Sequence, residues 1–114
     1  MNTAENNKLI AEFMGCKPIF KDKKYYQMVT HENMCYSTNE LQYHSDWNWL
    51  MQVVEKIESL HETNNVLIGT NITYVQIHNK VRNEQETFKG VSNIKIEAVY
   101  NACVTFIGWY NEQN

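Results

Sequence analysis

The chain has a single proline, Pro18, only four glycines and three cysteines in 114 residues. Gly15, Gly69, Gly90 and Gly108 stand alone, so no glycine-rich loop is there to cradle a phosphate through backbone N–H groups. Cysteines at 16, 35 and 103 are an odd number without paired spacing. That argues against the disulfide framework of a small secreted domain and for reduced thiols in a cytoplasm. No stretch approaches the roughly 18 apolar residues of a membrane span. The opening MNTAENNKLIAEF carries acids and asparagines where a signal peptide would have a basic start and a long apolar run. The expected location is therefore cytoplasmic, with no membrane partner. A basic excess is missing too: the net charge is −3 and the pI about 5.8. Lysines gather only at Lys17, Lys21, Lys23 and Lys24, with Asp22 among them, which reads as a solvated loop. A duplex nucleic-acid partner, which needs a concentrated basic face, is not expected.

What is present is an ordinary globular balance, 43% hydrophobic and 20% charged, with seven Tyr, three Trp and four Phe. The length fits one domain, 1–114, with aromatics to spare beyond one core. The strongest periodic signal is Tyr43 to Leu60. Trp47, Leu50, Met51, Val54 and Ile57 recur at helical spacing, and Trp49, Val53 and Leu60 draw a second stripe beside them. Ser45 or Asp46 is placed to cap this helix.

Before it, Asn2 to Gly15 reads as a short helix with an apolar face of Leu9, Ile10, Phe13 and Met14, stopped by Gly15 and Pro18. Ile19 to Tyr36 reads as a small hairpin, Tyr25 to Val29 and Met34 to Tyr36 around a His31-Glu32-Asn33 turn. After it, Val66 to Ile68 and Ile72 to His78 make a tight hairpin across Gly69-Thr70-Asn71, with Thr73, Val75 and Ile77 on one face. Asn79 to Gly90 reads as an exposed loop or a ragged edge strand. Ser92 opens a last helix with a stripe of Ile96, Val99, Cys103, Phe106 and Tyr110. Beside that stripe, Ala98, Ala102 and Thr105 form a small-residue face suited to close approach. Helices separated by hairpins imply α+β, an antiparallel sheet with two long helices and a short N-terminal one.

Certain stretches also carry a resemblance. Leu41 to His44, Trp47 to Met51, Val53 to Glu58, the closing Ile96 to Tyr100 with Phe106-Ile107 and Trp109 to Asn111, and the opening Asn7 to Gly15 resemble small bacterial and phage proteins. Their nearest named family is the phage ABA sandwich domain. The resemblance covers both ends and the centre, and Gln52 departs from it where the group has a proline. It implies a layered α/β/α sandwich and a phage or prophage context, in which the location is the host cytoplasm. It implies no catalytic residue.

Chemistry is sparse. His31, Cys35 and His44, with Cys16, are ligand types that suit zinc, but their spacing matches no finger and separate core thiols and surface histidines explain them. Cys35 near His31 is the one thiol–imidazole pair a nucleophilic enzyme would use. Glu55 and Glu58 read as a wet helix face. The aromatic cluster at the start of the central helix is the functional candidate: Tyr43, His44, Ser45, Trp47 and Trp49, with Tyr36 nearby. A helix N-terminus offers N–H donors and a positive dipole end to an anion, and flat rings beside it stack a base. The plain alternative is that both tryptophans pack the core and Tyr43 staples the helix entrance. If Trp47 takes the core, Trp49 points elsewhere, since residues two apart do not share a helix face.

The expected function is a non-enzymatic, phage-type binding protein without a cofactor. Its expected partner is a small anionic or nucleotide-like ligand, such as a nucleotide immune signal, or a host protein, and it acts as a homo-oligomer. The alternatives are a protein-interaction module with an aromatic interface and, more distantly, a Cys/His enzyme.

Overall fold

The computed structural model describes residues 3–18, 25–27 and 35–113. In chain order the elements are α1 (Thr3–Phe13), β1 (Lys17–Pro18), β2 (Tyr25–Gln27), β3 (Cys35–Ser37), α2 (Trp47–Ser59), β4 (Asn65–Ile68), β5 (Ile72–Asn79), β6 (Glu84–Val91) and α3 (Lys95–Gln113). This is a small α+β fold. One antiparallel sheet runs β4-β5-β6 and another runs β1-β2-β3. In the smaller sheet β2 and β3 pair as the expected hairpin, Tyr26 opposite Tyr36. The His31-Glu32-Asn33 turn and the run Lys21 to Lys24 lie outside the described residues.

Helix α1 ends where the sequence says it must. Gly15 takes φ 84°, and the N–H groups of Gly15 and Cys16 donate to the carbonyls of Glu12 (3.1 Å) and Ala11 (2.9 Å). This is a Schellman closure, and it needs the left-handed residue that glycine supplies without strain. The Lys56 ammonium, from α2, donates to the Phe13 carbonyl and lies 4.7 Å from the centre of the Phe13 ring. The last turn of α1 contains no basic residue of its own, so this cation complements its dipole from across the fold.

Helix α2 is capped by Asp46, whose carboxylate accepts from the N–H groups of Asn48 (2.8 Å) and Trp49 (3.4 Å). Its buried residues are Trp49, Leu50, Val53, Val54 and Ile57. At 3.6 residues per turn these span an arc of about 140° from Trp49 to Val54. Trp47 and Met51 lie beyond that arc and are exposed, at 39% and 36%. Of the two tryptophans left open between core and surface, Trp47 is the outward one. Trp49 takes the core, because Tyr36 and Tyr43 both meet its ring edge-on, at 5.2 and 5.1 Å.

The β4–β5 hairpin matches its alternation, with Val66 opposite Val75 and both buried. Of the loop and the ragged edge strand expected after Asn79, the structure has an edge strand, β6, and a regular one: its eight residues pair along the whole of β5 from Ile72↔Val91 to Asn79↔Glu84. Gly90 decides how α3 lies on it. A Cβ added there would sit 2.1 Å from the Ala98 carbonyl oxygen and 2.4 Å from the Ala102 nitrogen. The small-residue face of α3 is therefore pressed on the β6 backbone, with Ala98, Val99, Tyr100, Ala102, Cys103, Phe106 and Ile107 buried. Ile96 and Tyr110, at the ends of the expected stripe, are partly buried.

One cluster of buried side chains joins α1, α2 and α3 to β4 and β5. All of it lies on the Val66–Val75 side of the sheet. On the other side Leu67, Tyr74 and Val91 are exposed, at 43%, 37% and 59%. Among the described residues, the helices stack over this one face of the sheet. No described helix is long and apolar enough to cross a membrane.

Candidate functional site

The five residues expected to form a site divide between the core and the surface. Tyr43 and Trp49 are buried in the core. The Tyr43 hydroxyl lies 3.9 Å from the Cys16 sulfur, and burial first, then the Cys16 thiol, holds its pKa far above the ordinary tyrosine range. His44, Ser45 and Trp47 are exposed, His44 with its ring edge-on to Tyr100. The two first-turn N–H groups that an anion would use are occupied by the Asp46 carboxylate. The stretch is a structural joint, and its centre is a residue the sequence reading passed over. Asn7 of α1, fully buried, donates from Nδ2 to the Leu41 carbonyl (3.0 Å). The same amide nitrogen lies 2.9 Å from Nδ1 of His44. Its Oδ1 accepts from the Tyr100 hydroxyl of α3 at 3.0 Å. Burial pushes Tyr100 up to about 12.

Of the proposed zinc ligands, Cys16 and His44 have these other partners, while His31 and the Cys35 side chain lie outside the described residues. Among the described residues no three His, Cys, Asp or Glu side chains gather as a metal-binding group. Glu58 is not simply a wet acid: its Oε2 accepts from the Val66 N–H (3.1 Å) and ties α2 to β4. Cys103 is fully buried on α3, and burial pushes its thiol up to about 12, which makes it an inert core residue rather than a nucleophile.

A cavity of about 340 Å³ opens at the other end of α2, between the loop 61–64, the end of β5 and the last turns of α3. Its floor is apolar and aromatic. Leu60, Ile77 and Phe106 line it with Trp109 and Tyr110, whose rings both contact Phe106 at about 6 Å. Its rim is polar. The rings of His61 and His78 stack with centroids 4.6 Å apart and planes 19° from parallel. Asn64 locks them together: its Oδ1 accepts from the His78 backbone N–H (3.0 Å) while its Nδ2 donates to the Ile57 carbonyl (2.9 Å). This bond serves β5 just beyond the end of β4.

The backbone N–H of Thr63 donates to Nδ1 of His61 at 3.1 Å. Nδ1 must therefore offer a lone pair, and the neutral ring carries its proton on Nε2. Lys80 also lines the cavity, and among the described residues no Asp or Glu does. In a chain of net charge −3 this is a local reversal of sign. Nothing in the sequence pattern marked it. His61 and His78 are 17 positions apart, and only the hairpin register together with Asn64 brings them face to face.

No known protein family, no curated protein and no solved structure matches this chain.

Proposed function

We propose that the protein is a non-enzymatic binding protein that holds a small anionic, nucleotide-like molecule in the cavity beside His61 and His78. One observation carries this reading: a cavity walled by a lysine, two imidazoles and aromatic rings, with no carboxylate among the described residues that line it, in an acidic chain. Its volume falls near the lower end of the roughly 300–1,000 Å³ typical of small-molecule sites. The wall supplies hydrogen-bond donors from Lys80 and from Nε2 of His61, and ring faces for stacking. A metal at His61 would need the lone pair of Nε2, which the Thr63 contact commits to a proton. In a phage setting the ligand is a nucleotide-type signal of the host, withdrawn from its receptor in the host cytoplasm. The test is native mass spectrometry of protein purified from signalling-active cells. The expected result is a retained small molecule that is lost in His61→Ala. No retained species in either protein, and no heat on titration with a nucleoside monophosphate, would refute the reading.

A second reading has its own observation, the open face of β4-β5-β6. Leu67, Ile72, Tyr74 and Val91 adjoin there in register, and Lys89 is the single formally charged side chain on that face. Two strands of eight residues beside one of four give a footprint of about 330 Å². That is about two-fifths of the approximately 800 Å² per partner in a standard interface. The occupant that fits is a second copy, held in a weak, concentration-dependent dimer. Sedimentation equilibrium should show self-association that Leu67→Glu removes. A concentration-independent monomer mass would exclude it.

A further inference from the structure

The cavity rim holds an apolar side chain that the free protein does not use. Val81 lines the cavity, yet 89% of it is exposed. It belongs to the turn 80–83 that joins β5 to β6. That turn is pinned: Oδ1 of Asn79, a residue only 8% exposed, accepts from the N–H groups of Val81 (3.0 Å) and Arg82 (3.2 Å). Asn83 closes it in the left-handed region at φ 51°, which asparagine tolerates. Turn tips favour Gly, Asn, Asp, Ser and Pro, and a β-branched valine is stiff and gains nothing from water there. The Asx turn thus presents Val81 in a fixed position, next in sequence to Lys80, at the mouth of a cavity floored by Trp109.

We propose that Val81 contacts the ligand and sets the specificity of this cavity, and that the ligand it fits is a planar ring system joined to one anionic group, of nucleoside-monophosphate size. The proposal rests on the binding reading above and adds to it. About 340 Å³ holds one such unit and not two. Lys80 and Nε2 of His61 serve the anionic group. Val81 and Trp109 serve the ring, and a ligand that covers Val81 removes apolar surface from water. A bare inorganic anion gains nothing from Val81, because it leaves that side chain as wet as before.

The experiment is calorimetric titration of the full chain with three probes in parallel: adenosine 5′-monophosphate, adenosine, and inorganic phosphate. Wild type, Val81→Ser, Val81→Ile and His61→Ala are compared, with melting temperatures recorded for each. The nucleotide should bind more tightly than either fragment. Val81→Ser should weaken nucleotide binding by roughly tenfold, the loss of about one valine's burial, with an unchanged melting temperature. Val81→Ile should bind at least as well as wild type. Nucleotide binding that Val81→Ser leaves intact while His61→Ala weakens it would keep the cavity as the site and overturn the role of Val81. Phosphate binding as tight as the nucleotide would overturn the ring requirement. No binding of any probe to wild type would overturn the underlying site reading and this inference with it.

Discussion

Gly90 is the position where one added methyl group tests the whole stacking of helix on sheet. In Gly90→Ala the new Cβ would meet the Ala98 carbonyl oxygen at 2.1 Å and the Ala102 nitrogen at 2.4 Å. A carbon reaches an oxygen comfortably at about 3.3–3.6 Å, so the two backbones must part by more than about 1 Å. A radial gap of about 0.5–1 Å already forfeits a quarter to a half of each dispersion well. Val99, Cys103, Phe106 and Ile107 follow α3 outward, and each side chain of that size is worth about 1.5–3 kcal/mol when fully buried. Losing a third of that across four residues costs about 3 kcal/mol, at the upper end of ordinary overpacking. For a domain near 100 residues this is about 12 °C in Tm, at roughly 4 °C per kcal/mol. Urea unfolding followed by circular dichroism reads it. The atoms met are backbone, so adding Ala98→Gly, which removes only a side chain, should not restore stability. A Gly90→Ala protein within about 2 °C of wild type, or a full rescue by Ala98→Gly, would refute the close approach of α3 to β6.

Asn7→Leu should lower stability by about 2–4 kcal/mol, because it leaves the Leu41 carbonyl without its partner and the Tyr100 hydroxyl with only the Thr3 carbonyl at 3.5 Å; an unchanged urea midpoint would show the node to be dispensable. Thr73 is fully buried and its hydroxyl has no hydrogen-bond partner, so Thr73→Val should be neutral or stabilising by up to about 1 kcal/mol, and a loss beyond about 1 kcal/mol would reveal a bond the structure does not show. Trp49→Ala should cost about 3–5 kcal/mol while Trp47→Ala stays within about 1, and equal losses would place both indoles in the core. Alkaline pH should destabilise the fold: Cys103 is raised from 9.0 to about 12 and Tyr100 from 10.0 to about 12, so the unfolded chain ionises first. The stability these neutral groups provide is complete below about pH 9 and falls as pH rises from 9 to 12, and a flat urea midpoint across that window would contradict their burial.

The elements that announce themselves in the sequence are those whose own residues carry the period. The central helix runs within two residues of its expected ends, and Asp46 is one of the two caps proposed for it. The alternation of Thr73, Val75 and Ile77 fixed the core face of β5. β6 was hidden because its inward residues are Glu86, Phe88 and Gly90, which make no apolar alternation. The open sheet face was hidden for the opposite reason: Ile72 and Tyr74 look like buried residues, so the strand reads as covered on both sides. On α2, apolar residues ring most of the circumference, and which arc is buried depends on where Tyr36 and Tyr43 place their rings. The candidate cavity had no local signature at all. Its parts are a helix-end loop, a strand end and the last turns of α3, and their meeting is a property of the tertiary fold.

The Asn7–Tyr100 bond spans 93 residues of chain, and it ties the first helix to the last. The first helix also finishes itself on something remote, a lysine 43 positions away, whereas α3 lies on β6, the strand just before it. Closing a loop of that length carries an entropic cost near (3/2)RT ln 93, roughly 4 kcal/mol before any constant. A chain arranged this way gains little from folding as it is synthesised. Its first helix stays marginal, with an apolar face and a buried-type asparagine exposed to water, until residues 95–113 exist to receive it. The interval between translation of the first helix and the last is thus the period in which this protein is most open to proteases and to aggregation.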